Sequence, residues 1–83
     1  MGIRIDLVAQ HLSKVPFREE WLNLEILNLS NNEISRLDNL EALTRIRELN
    51  LSSNQICRTA KLAELHSVEV LNLSSNRIQC VEG

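Results

Sequence analysis

Apolar residues in this chain alternate over short runs and then recur at every third position, and this pair of patterns itself repeats. Residues 24–34 read LEILNLSNNEI. Twenty-two residues later, residues 46–56 read IRELNLSSNQI, and after another 22, residues 68–78 read VEVLNLSSNRI. The apolar positions Leu24/Ile46/Val68, Leu27/Leu49/Leu71, Leu29/Leu51/Leu73 and Ile34/Ile56/Ile78 are kept throughout, and one polar position, Asn32/Asn54/Asn76, is kept as strictly. A fixed period of this length predicts thin stacked units that bury their apolar faces against one another.

Within the first full repeat, residues 24–45, the opening half alternates. Leu27 and Leu29 fall on one face and Ile26 and Asn28 on the other, the mark of a half-buried strand. The second half changes period, with Ile34, Leu37, Leu40, Leu43 and Ile46 three apart. That spacing aligns side chains along one edge of a 3₁₀-like or loosely helical return arm. The second repeat, residues 46–67, keeps Leu62 and Leu65, and its strong helix formers AKLAEL at residues 60–65 predict a more helical arm. The third, residues 68–83, is cut short, with Val81 in the Leu37 position and no return arm.

The same ruler reaches back into residues 1–23, where Ile5, Leu7 and Leu12 match Leu27, Leu29 and Ile34, Val15 matches Leu37 and Trp21 matches Leu43. The register then degrades. Gln10 takes the Asn slot and Arg18 the slot of Leu40, with Phe17 expected to fill the gap. This reads as an atypical capping coil, which terminal repeats require because one face meets water. The alternation Ile3-Arg4-Ile5-Asp6-Leu7 favours a strand over the competing reading, a helix over residues 7–14 capped by Asp6. Pro16 stops either element.

The consensus LxxLxLxxNxI followed by apolar residues at every third place resembles a leucine-rich repeat, and the 22-residue period is similar to the short intracellular, phosphatase-regulator type. The resemblance covers residues 24–78 in full and 3–23 loosely. It implies an α/β fold: a right-handed solenoid with short parallel strands on the concave face and 3₁₀ or short helical turns on the convex face. Residues 1–83 would form one such domain. The family's usual role implies protein recognition on the concave face, by a non-catalytic module. The alternative is an N-terminal structural cap of a longer protein, with its partner contacts or a catalytic domain downstream.

On this reading the outward strand positions form ladders: Arg4, Ile26, Glu48 and Val70, and beside them Asp6, Asn28, Asn50 and Asn72, flanked by Glu25, Arg47 and Glu69. The expected protein-binding residues are Ile26, Asn28, Arg47, Glu48, Asn50, Glu69, Val70 and Asn72. These rows hold two basic residues (Arg4, Arg47) and four acidic ones (Asp6, Glu25, Glu48, Glu69), so the chain's small acidic excess sits there. Asn32, Asn54 and Asn76 lie where each strand turns into its return arm. A buried amide both donates and accepts, so there it can satisfy stranded backbone groups and join coils.

Composition narrows the alternatives. A net charge of −2 over 83 residues argues against nucleic acid or an anionic membrane as partner. Glycine occurs only at residues 2 and 83, so no phosphate-cradling loop exists, and Asp6 stands where a myristoylation signal at Gly2 wants Ser or Thr. His11 and His66 occupy non-equivalent positions and no pocket is foreseen beside them, so no catalytic, cofactor or metal residues are assigned. Cys57 and Cys80 form no metal-binding pair and are expected to be buried, inert thiols. With no signal-peptide pattern they suit a reducing, cytoplasmic setting, the nucleus and cytoskeleton included. The acceptor-like triplets at Asn28, Asn50 and Asn72 fall inside the repeated strand, so a structural role is expected of them. The missing last return arm predicts an uncapped strand edge prone to self-association, and an amino-terminal piece of a longer protein.

Overall fold

Each alternating segment contributes a strand of three residues, because only its central Leu or Ile points inward before the chain must turn. A computed structural model describes residues 3–78. Its strands are β1 (Arg4–Asp6), β2 (Ile26–Asn28), β3 (Glu48–Asn50) and β4 (Val70–Asn72). They form one sheet in chain order, every pair parallel. The register sets Arg4 beside Ile26, Ile26 beside Glu48 and Glu48 beside Val70, so the sequence period is also the spatial offset. The ladder extends past the strand ends: the Leu7, Leu29 and Leu51 amides donate to the Asn28, Asn50 and Asn72 carbonyls, each at 2.8 Å.

After each strand the chain reverses through a left-handed residue. Ala9, Asn31, Ser53 and Ser75, again 22 apart, have φ of 57°, 57°, 55° and 58°. None is glycine, so three of the four hold this conformation with a Ser or Ala side chain that does not favour it.

The return arms carry three 3₁₀ helices, η1 (Glu19–Asn23), η2 (Leu40–Ala42) and η3 (Ala60–Glu64). The second arm is the more helical of the two full repeats, with five residues of 3₁₀ helix against three, and the helix is 3₁₀ rather than α. Its anchors Leu62, Leu65 and Val68 recur in steps of three, six residues on from Ile56 with Thr59 between, and a turn of three residues keeps them on one edge where 3.6 would rotate them away. Residues 7–14 contain no helix, and β1 forms instead.

The core is the set of repeated positions. Leu24, Leu27, Leu29, Ile34, Leu37, Leu40, Leu43, Ile46, Leu49, Leu51 and Ile56 are buried, joined by Val15, Trp21 and Leu65. Phe17 does not fill the gap expected of it and is 58 % exposed. The reason is a shift of register: η1 begins one position later than η2 in the 22-residue frame, leaving Arg18 extended ahead of the helix. Arg18 lies instead over the Trp21 ring, 5.9 Å from its centroid. Burial is complete in the middle of the stack and less so in the outer strands, where Ile5 is half-buried. Leu27 and Leu49 are each 1 % exposed, whereas Leu71 in the same position of β4 is 37 % exposed. Val81, Cys80 and Gly83 lie outside the described residues, as does Gly2.

Candidate functional site

The outward face of the sheet is assembled from three rows that run across the strands. In the first, Ile26, Glu48 and Val70 are register neighbours, with Arg4 beyond Ile26 on β1. Ile26 is half-buried, and Glu48 and Val70 are exposed. In the second, Asn28, Asn50 and Asn72 close the strands. Each Oδ1 accepts from the amide two residues on, those of Ser30, Ser52 and Ser74 at 3.0, 2.9 and 3.0 Å. These amides cap their own turns through the oxygen, a local bond that short Asn side chains make readily.

The third row is charged. Arg47 donates from Nε to Glu69 at 3.1 Å and reaches Glu25 at 3.9 Å, so one guanidinium spans carboxylates on both neighbouring coils. On β1, Arg4 grips Asp6 through two bonds of 2.9 and 3.0 Å. Hydrogen bonding to Asp6 holds the Arg4 guanidinium pKa above its ordinary value, and the bond from Arg4 holds the Asp6 carboxyl below the usual carboxylate range. Glu69 raises that of Arg47 in the same way. Glu48 alone of these carboxylates makes no direct ion pair among the described residues, although its charge is felt by both Arg4 and Arg47.

Two hollows lie on this face. One is lined by Glu25, Ile26, Arg47, Glu48, Glu69 and Val70, and holds about 180 Å³. The other, of about 210 Å³, follows the Ile26–Glu48–Val70 row down to the Asn residues and includes Arg4. Both fall short of the roughly 300–1,000 Å³ of a small-molecule pocket, and suit single side chains of a larger partner. The sheet thus brings together all eight expected contact residues and adds Glu25 and Arg4. The signal for those two was in the sequence, since both sit in the same 22-residue rows.

Asn32, Asn54 and Asn76 stand behind this face. Asn54 Nδ2 donates to Leu51 O and Ser52 O of its own turn, at 3.0 and 3.1 Å, and to Leu29 O of the preceding coil at 3.0 Å. Its Oδ1 accepts from the Ile34 amide at 3.0 Å. Asn32 reaches back to Leu7 O, Gln10 N and Leu12 N, and Asn76 to Leu51 O and Ile56 N. Two N–H bonds shared among three carbonyls leave the amide no spare donor for a ligand.

Residues considered for chemistry are dispersed. His11 Nδ1 meets Glu33 Oε2 at 2.9 Å in an exposed turn, and His66 is exposed on the far return arm. Cys57 is exposed, contrary to the buried thiol expected. It shares a row with Ser13 and Ser35, between buried Ile56 and exposed Arg58, on the solvent side of the turn. Cys80 lies outside the described residues. No group of three or more His, Cys, Asp or Glu among the described residues could hold a metal ion, and no helix among them is long and apolar enough to cross a membrane.

A parallel sheet built one strand per 22 residues, with 3₁₀ return arms and an Asn at each turn, defines a repeat solenoid. Comparison with family models agrees: the one for leucine-rich repeats in two copies matches residues 22–65, and one for a single leucine-rich repeat matches residues 64–79. The chain belongs to the leucine-rich repeat family. No curated protein and no solved structure matches it.

Proposed function

We propose that this chain is a protein-interaction module, not an enzyme, and that it binds another protein on its concave strand face. The observation that carries this reading is Glu48, a carboxylate without a direct ion pair, set in register between Ile26 and Val70. The partner offers a Lys or Arg to Glu48 and small apolar side chains to Ile26 and Val70, in the manner of a charged contact ringed by hydrophobic ones. Asn28, Asn50 and Asn72 supply polar contacts at the lower rim, and Arg47 with Glu69 closes the upper one. No nucleic acid, membrane or cofactor enters this reading, and a cytoplasmic setting suits it.

Affinity capture from extract, quantified by mass spectrometry, tests it. A partner held by the native chain should be lost from the Glu48→Lys, Glu69→Lys double variant at unchanged fold. Equal recovery would place the site elsewhere.

One observation favours a second reading, that the chain is a structural cap of a leucine-rich repeat array. Leu71 is 37 % exposed where Leu27 and Leu49 are sealed, an apolar surface of the kind a neighbouring coil buries. Melting temperature read against a version extended by one more coil separates the two. A large gain, with binding absent from the native chain, supports the cap.

A further inference from the structure

Four residues after Gln10, Asn32 and Asn54, the repeat aligns charges of one sign. Lys14, Arg36 and Arg58 are successive members of a 22-residue row. Lys14 and Arg36 are joined by a parallel bridge, and the preceding row is bonded in the same register, Ser35 N to Ser13 O at 3.2 Å. Arg36 and Arg58 line a common hollow with Lys61 and Ser35. All four cations are exposed.

We propose that this basic column is a second docking surface, distinct from the concave face, and that it takes an acidic segment of a protein partner. Like charges set directly opposite across a ladder repel, and neighbouring strands lie only about 4.8 Å apart. The chain itself offsets that repulsion poorly. Asp38 pairs with Arg36 at 3.3 Å and Glu64 meets Lys61 at 3.8 Å, while Lys14 and Arg58 make no direct ion pair among the described residues. His11 and Glu33, one turn earlier, are engaged with each other.

An acidic segment lying across the coils supplies the missing charge. Alternate side chains of an extended peptide recur about every 6.6–6.8 Å, within reach of Lys and Arg side chains anchored one coil apart. A protein segment fits better than nucleic acid. The hollow has no aromatic side chain on which a base could stack, and a chain of net charge −2 repels a long polyanion overall. The strand face carries an acidic excess despite Arg4 and Arg47, and this turn a basic one despite Asp38, so the two surfaces suit different partner elements.

The test is fluorescence anisotropy with the 83-residue chain and a labelled peptide of alternating Asp and Ser. Binding should appear at low salt, weaken as salt is raised, and fall about tenfold or more in the Arg36→Glu, Arg58→Glu double variant. Arg58→Gln, which breaks no ion pair, should weaken binding at unchanged melting temperature. Glu48→Lys on the concave face should not weaken it, so this outcome is independent of the concave-face reading. Equal binding by the double variant would overturn the proposal, as would tighter binding of a single-stranded RNA of matched charge.

Discussion

Asn54 and Leu29 lie 25 residues apart, yet the Asn54 side-chain amide donates to the Leu29 carbonyl at 3.0 Å. The same Asn accepts from Ile34 N, so one side chain holds the turn of its own coil and fastens it to the coil before. Asn54→Ala should therefore destabilise by roughly 1–3 kcal/mol, the range for stranding buried backbone groups. Asn76→Ala should cost less, because Asn76 is only half-buried. Glu41→Ala, on the surface, should stay within about 0.5 kcal/mol of the native chain. Urea unfolding of the three variants gives the order, and equal midpoints would remove the amide ladder from the account of stability.

Ser53 sits at φ 55°, in the row where Asn31 already stands. Asn tolerates this left-handed geometry better than Ser, so Ser53→Asn should raise stability by a few tenths of a kcal/mol up to about 1. Ser53→Val should lower it by more than that gain. Thermal melts check both, and a stabilised Val variant would mean that the turn differs from the one described.

The Asp6 carboxyl is held below its usual range by the bond from Arg4. An NMR titration should find its midpoint below the ordinary Asp value of about 3.9, and Arg4→Met should move it up towards that value. Because the folded-state pKa is depressed, the pair's stabilisation is present above the ordinary value and is lost as pH falls through the depressed one. Both side chains are exposed, so Arg4→Met should hardly change the melting temperature near neutral pH.

Glu48 and Glu69 were alike as sequence, but Arg47 engages Glu69 and leaves Glu48 without a direct partner. For the concave-face partner, Glu48→Lys should weaken binding more than Glu69→Lys does, mainly by speeding dissociation. Surface plasmon resonance resolves this, since breaking a charge pair at the centre of a site acts mainly on the dissociation rate, whereas a rim charge acts mainly on association. A larger effect from Glu69 would shift the centre of the site to the upper rim.

Leu49 and Leu71 hold the same place in successive coils but differ greatly in exposure. Leu49→Ala should cost about 2–5 kcal/mol and Leu71→Ala distinctly less. The exposed Leu71 also predicts self-association that grows with concentration in sedimentation experiments and is suppressed by Leu71→Lys. A monomer at every concentration would show that this face is covered in solution.

What the sequence determined by itself was the framework of apolar and Asn positions: the strand positions, the stack with its offset of 22, the core rows from Leu24 to Ile56, and the site of each ladder Asn. A periodic pattern admits a single register, because a slip of one residue would turn Leu27 and Leu49 to water and Ile26 and Glu48 inward. What only the tertiary structure decided lies where neighbours differ. Phe17 is exposed because η1 starts one position late in the 22-residue frame and leaves Arg18 extended ahead of it, a local departure from the repeat that the period itself does not carry. Cys57 faces solvent because its row does, a property of the turn and not of the thiol. Which carboxylate is left free, Glu48 and not Glu25 or Glu69, was set by the reach of Arg47 across two coils. Lys14 and Arg36 stand side by side only through a bridge between coils, and Arg58 joins them through a hollow it shares with Arg36. Residue type sets what each position can do, but pairing across coils depends on distances that exist only once the units are stacked.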